Sequence, residues 1–361
     1  VFSLKGVVPA CKSLDCVSVF ALNLQDAQLA FSILAKADQS ADPYSRPMPA
    51  APLVKFSKNP VVAIPNELLW YGETENPKLY AKAVENLQKS GVKTVPFDLL
   101  SLLDLAKLLY EGPWVAERYT ATKDFLATNP PADSLDPTVM KIIKSGENIS
   151  AATTFDYEYK RQEILRKVEA SLEGIDVIVV PTCPLNPKIS EVEAEPISVN
   201  SKQGTYTNFV NLADLSALAI PAGFRPDGLP FGITLLSKKY NDYALLDLAH
   251  RYMKSYGQRY LGCLKNQPVT TGDELLDNIP KPDPAASIKL AVVGAHLLGM
   301  PLQWQLEKVN ATFIEATKTS KAYKLYALPK VGAILKPGLR RVDDGTGSQI
   351  EIETYYVPVE K

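Results

Sequence analysis

Residues 61–97, "VVAIPNELLWYGETENPKLYAKAVENLQKSGVKTVPF", decide the fold class. "VVAIP" at 61–65 is a short continuous apolar run, the pattern of a strand buried on both faces. "NPKLYAKAVENLQKS" at 76–90 has helical spacing and stops at Gly91, a residue suited to the left-handed turn that ends helices. "KTVPF" at 93–97 then reads as a second strand. Strand, helix, strand in this order predicts an α/β sheet.

The same reading extends outward. "NLQDAQLAFSILAK" at 23–36 opens on a capping Asn23 and places Leu24, Ala27, Phe31 and Leu34 at helical spacing. "DLLSLLDLAKLLY" at 98–110 is a helix leading into "EGP", where Pro113 can open the next one. A long amphipathic stretch from Ser150 to Leu172 ends at Gly174, and "DVIVVP" at 176–181 follows as a buried strand. "LAIPAGFRPDGLPFGITLL" at 218–236 sets "PDG" between two apolar runs, a strand, turn, strand signal. "DYALLDLAHRYMKSY" at 242–256 is a further helix. Residues 273–286 carry Pro280, Pro282 and Pro284 among acidic residues without apolar periodicity and read as a linker between residues 1–272 and 287–361. Beyond it, short alternating segments predict a mainly β domain.

Charge and composition narrow the function. With 39 Lys+Arg against 40 Asp+Glu the chain has no electrostatic footprint for nucleic acid or an anionic membrane, which leaves a small-molecule ligand. No apolar run is long enough to span a bilayer. The cysteines Cys11, Cys16, Cys183 and Cys263 form no C-x-x-C pair, so neither a zinc site nor a disulfide framework is expected, and a reducing, cytoplasmic setting fits. Cys11 and Cys16 read as small core residues. The two histidines, His250 and His296, leave little for a His-based triad or metal centre. The glycines of "GTYTNF" and "PDGLPFG" lack phosphate-loop spacing and read as turns.

Four segments occur in a telling order: "GVVPACKSLDCVSVFALNLQDAQLAFSIL" (6–34), "VPTCP" (180–184), "GTYTNFVNLADLSALAIPAGF" (204–224) and "DGLPFGITLL" (227–236). Together they resemble the amidase-signature enzymes, and "ACKSLDC" is similar to allophanate hydrolases in particular. The resemblance implies an amidase-signature fold, a mixed central sheet covered by helices, over residues 1–272. It also implies the start of a smaller, β-rich, cyclotransferase-like domain over 287–361. Family members cleave amides with a Ser nucleophile, a second Ser in a cis peptide and a Lys, with no metal or organic cofactor; such a relay makes a hydroxyl nucleophilic without His. The resemblance places those three residues upstream of "GVVPA", so none is assigned here, Ser3 and Lys5 included. A fragment that is inactive by itself is the expectation.

On the substrate side, Tyr110 and Arg118 in "LLYEGPWVAERY" (108–119) match the pair with which allophanate hydrolases hold the substrate carboxylate. An Arg fork suits a planar carboxylate with two parallel charge-assisted bonds, and a Tyr hydroxyl adds a third. The competing reading has Arg118 paired with Glu111 or Glu117 on a solvated helix face and Tyr110 packed in the core. His296, between Gly294 and Gly299, is the candidate for a second step in the C-terminal domain, binding N-carboxycarbamate or moving a proton during loss of carbon dioxide. His250 reads as a structural helix residue. The partners implied are allophanate and a urea carboxylase, fused or separate, with a homodimer left open. Two alternatives are a non-catalytic amidase-like module that binds a partner or a small carboxylate and another amidase-signature enzyme, such as a tRNA-dependent amidotransferase subunit.

Overall fold

The computed structural model describes residues 2–49, 52–256, 260–261, 264–268, 287–309, 311–327, 337–342 and 345–358. The chain divides into two compact units, Val1–Pro47 with Lys58–Asn278, and Met48–Ser57 with Ile279–Lys361. The expected linker at 273–286 and Cys263 lie outside the described residues.

In the first unit the strands β1 (Val61–Pro65) and β2 (Lys93–Phe97) flank the helix α2 (Glu75–Lys89), after α1 (Leu24–Leu34). β1 and β2 pair in parallel, Val62 opposite Thr94, as a helical crossover requires. Gly91 takes a φ of +91° just past α2, the left-handed conformation that closes the helix. Four helices follow: α3 (Leu100–Glu111), α4 (Trp114–Ala127), α5 (Pro137–Ser145) and α6 (Ala151–Ser171). The Ser150 hydroxyl caps α6 by accepting from the Thr153 N–H at 3.0 Å.

β3 (Val177–Pro181) returns parallel to β1, and every one of its residues is buried. Two short helices, α7 (Ile189–Ala194) and α8 (Pro196–Gln203), precede the hairpin β4 (Leu215–Phe224) and β5 (Pro230–Lys238). β5 pairs antiparallel with β3, so the five-stranded sheet has the order β2-β1-β3-β5-β4 and is mixed, as the family resemblance implied. The "PDG" turn joins the hairpin, with Gly228 at a φ of +84°. α9 (Asp242–Tyr256) packs against this sheet. Residues 204–214 form successive turns that nonetheless bury Tyr206, Phe209 and Leu212 completely. The short strands β6 (Tyr260–Leu261) and β7 (Leu264–Pro268) pair with each other.

The second unit carries β8 (Ser287–Val292), α10 (Gln303–Lys308), β9 (Thr312–Lys318), β10 (Tyr323–Ala327), β11 (Pro337–Arg341) and β12 (Glu351–Pro358). β12 lies between β8 and β9 in an antiparallel three-stranded sheet, and β10 pairs with β11. Its small core contains Val292, Leu306 and Tyr355, with the Phe313 ring edge-on to Tyr355 at 5.6 Å.

Candidate functional site

The corner between α3 and α4 sets the site. The Gly112 N–H donates to the Leu108 carbonyl at 2.9 Å, ending α3, and Pro113 leads into α4. A Cβ on Gly112 would meet the Leu108 carbonyl oxygen at 2.4 Å and the Tyr157 ring at 2.9 Å, so this close turn needs glycine. It places Tyr110 in the last turn of α3 and Arg118 in the second turn of α4.

Tyr110 is 47% exposed rather than packed in the core. Arg118 is half-buried, its Nε is shielded from solvent, and among the described residues no group accepts from that Nε. Neither Glu111 nor Glu117 forms an ion pair with Arg118 among the described residues. Glu117 instead accepts from the Ser13 N–H at 2.8 Å through one carboxylate oxygen and from the Ser13 hydroxyl through the other.

Ser13 belongs to a tight turn fastened to α4. The Asp15 carboxylate accepts from the Ala10 N–H at 2.8 Å and the Cys11 N–H at 3.0 Å, and the Cys11 carbonyl accepts from the Leu14 and Asp15 N–H groups. The Cys11 thiol donates to the Trp114 carbonyl at 3.5 Å. Burial pushes that thiol up to about 11, aided by the Glu117 and Asp15 charges and opposed by the adjacent Arg118 guanidinium. A thiol so raised is neutral near pH 7, so Cys11 is a packing residue beside Arg118 and not a nucleophile. Cys16 departs from the core expectation: it is exposed, because the chain leaves the fastened turn just before it and runs along the surface.

α5 braces α4 from another side. A Cβ on Gly146, just beyond α5, would meet the Val115 carbonyl oxygen at 2.5 Å, so the two backbones touch there. The arrangement holds one half-buried guanidinium and one exposed tyrosine on consecutive helices, residue types suited to binding a small carboxylate.

His296 lies in the second unit, in the 3-10 turn Gly294–His296 that follows β8. Its Nε2 is 2.9 Å from the Gln305 Oε1 of α10. Glu353 of β12 accepts from the Leu298 N–H at 2.9 Å and the Tyr355 hydroxyl at 2.8 Å, which fixes the loop after His296. His250 stands half-buried on α9. Among the described residues no three His, Cys, Asp or Glu side chains are grouped to hold a metal, and no helix is long and apolar enough to cross a membrane.

Sequence reasoning singled out Tyr110, Arg118 and His296 but missed Ser13, Gln305 and the role of Cys11. Ser13 is 104 residues from Glu117, and no local pattern announces that pairing.

The amidase family model matches residues 1–246, and that of the allophanate hydrolase C-terminal domain matches residues 288–361. A urea amidolyase of Lachancea kluyveri is 63% identical over 99% of the chain, which covers 20% of that protein. A urea amidolyase of Saccharomyces cerevisiae is 59% identical over 100% of the chain, again 20% of its own length. The structure of a Kluyveromyces lactis allophanate hydrolase superposes with a TM-score of 0.78 at 60% identity, covering 99% of this chain and 58% of that one. The chain thus spans about one fifth of the length of the curated relatives it matches. Matched by the amidase model through the mixed sheet and the Arg118 corner alike, the chain belongs to the amidase family.

Proposed function

We propose that the protein takes part in the hydrolysis of allophanate to ammonia and carbon dioxide, and that its Arg118 corner holds the substrate's carboxylate. The observation that carries this reading is the half-buried Arg118 guanidinium, which has no carboxylate partner among the described residues and a shielded Nε without an acceptor. A buried donor left open is costly, and an incoming carboxylate removes that cost. The fork of Arg118 takes the two carboxylate oxygens, and Tyr110, an exposed residue of the preceding helix, supplies its hydroxyl as a third donor. Holding the carboxylate presents the far amide of the substrate to the amide-cleaving group, and we assign no member of the family's Ser, cis-Ser and Lys set within this chain.

In the second unit we assign His296 to the N-carboxycarbamate left after the first ammonia departs. The Gln305 amide oxygen beside Nε2 supports a ring protonated at Nε2, which leaves Nδ1 to accept a proton. The urea amidolyase relatives support a further assignment: allophanate reaches this protein from a urea carboxylase, fused or separate.

The test uses two isosteric ligands, malonamate, which keeps the carboxylate of allophanate, and its neutral diamide malonamide. Arg118→Ala weakens malonamate binding roughly 10- to 100-fold, the worth of a charge-assisted hydrogen-bond pair, and leaves malonamide unchanged. Equal losses for both ligands would remove the carboxylate clamp.

A further inference from the structure

Glu117 and Arg118 are consecutive on α4, carry opposite charge, and both act on the Cys11 thiol, one raising and the other opposing its pKa. Consecutive helix residues point about 100° apart, so the two heads meet only when the glutamate side chain swings back along α4. A flexible glutamate next to a guanidinium that has no carboxylate partner among the described residues is an available internal partner, and a pair formed that way would occupy the fork that a ligand carboxylate needs. The structure shows another arrangement. Both oxygens of Glu117 are engaged by Ser13, Oε2 by the backbone N–H at 2.8 Å and Oε1 by the hydroxyl. Ser13 is in turn immobilised by its turn, through Asp15 on the Ala10 and Cys11 N–H groups and through the Asn211 side-chain amide on the Leu14 carbonyl at 2.9 Å.

We propose that Ser13 is a positioning residue that holds Glu117 away from Arg118 and thereby keeps the guanidinium open for a carboxylate ligand. The inference deepens the carboxylate-clamp reading and rests on it. It assigns a specificity role to a residue that touches no ligand: a fastened turn sequesters the competing internal anion. Without the Ser13 hydroxyl, Glu117 loses one of its two donors and competes for Arg118 in the same molecule, where its effective concentration is high. Removing the charge from Glu117 removes the competitor. A merely structural staple would behave differently, since a second change at the same contact would loosen the turn further.

The experiment is isothermal titration of malonamate, with malonamide as the neutral control, against the full chain, Ser13→Ala, Glu117→Gln, the double variant and Arg118→Ala. Circular dichroism and thermal midpoints report that each is folded. Ser13→Ala binds malonamate about fivefold more weakly, the size of coupling common between contacting charged groups. The double variant recovers the affinity of the unaltered chain, and Glu117→Gln alone binds at least as tightly as that chain. Arg118-dependent binding that Ser13→Ala leaves unchanged, or that the double variant fails to restore, overturns the proposal. Weaker binding by Glu117→Gln alone also overturns it, because the pair would then be a staple only. Binding equal in the unaltered chain and Arg118→Ala is the distinct result that removes the clamp itself, and the role of Ser13 with it.

Discussion

The Cys11 thiol is 6% exposed, and its proton is held more tightly in the folded chain than in the unfolded one. Its pKa rises from 9.0 to about 11, so its contribution to stability is complete below about pH 9 and is lost as the pH climbs through 11. Across that window the folded state binds the extra proton, which makes the stability slope negative; the loss amounts to up to about 3 kcal/mol. Cys11→Ala abolishes this part of the alkaline slope in denaturation midpoints compared between pH 8 and 11, and an unchanged slope would contradict the burial argument. The same thiol resists alkylation at pH 8 in the folded protein for longer than the exposed Cys16, although partial burial raises the Cys16 thiol as well. At this scale the sequence was legible only in part. Tyr110 and Arg118 were singled out as candidates because motifs carried over residue by residue, whereas the state of Cys11 depends on Trp114, Glu117 and Arg118, which no spacing around Cys11 reveals.

Among the elements, the α3–α4 corner and the β4–β5 turn each depend on one residue. Gly112→Ala drives a Cβ into the Leu108 carbonyl, so the corner must open. It should cost about 2 kcal/mol or more in thermal or denaturant unfolding and weaken malonamate binding in the molecules that remain folded. Arg225, next to the "PDG" turn, bonds Glu73 Oε2 and Asn76 Oδ1, both at 2.7 Å, and Asn76 reaches on to the Pro184 carbonyl at 3.0 Å. This latch joins the hairpin turn, the start of α2 and the loop after β3. Burial acts to raise the Glu73 carboxyl, but the Glu75 N–H and the Arg225 guanidinium outweigh it and hold it below its ordinary value. The latch is therefore intact above pH 4.5 and weakens as the pH falls below that value through the folded pKa. Arg225→Ala leaves Glu73 and Asn76 without their partner at a cost of about 2–4 kcal/mol near pH 7, a penalty that shrinks in acid. A pH-independent penalty would show that packing, not charge, does the work. Most helices of the first unit were readable from periodicity and stop signals. α1 shows the limit: Leu34, on the expected apolar stripe, is 45% exposed and Gln28 is buried. Its docking runs through Phe31, edge-on to Tyr243 at 5.1 Å, and a partner on α9 is invisible to a local pattern.

For the whole molecule, the two units carry separate candidate chemistry, with Arg118 in one and His296 in the other. On the proposed assignment, His296→Ala in a protein that also carries the amide-cleaving residues leaves the first ammonia release at its normal rate and slows carbon dioxide release. Parallel loss of both products would contradict that division of labour. The strand, helix, strand order, the stops at Gly91 and Gly174 and the succession of family motifs are local properties of the chain, and they determined the α/β class and the amidase resemblance unaided. Tertiary structure alone settled whether Arg118 spends its charge on a neighbour. The sequence places Glu117 beside it, and only the folded chain brings Ser13 across 104 residues to take that carboxylate instead. Periodicity and capping arise within a few residues of backbone, whereas the partner of a charge is chosen by which distant segments the packed core leaves within hydrogen-bond reach.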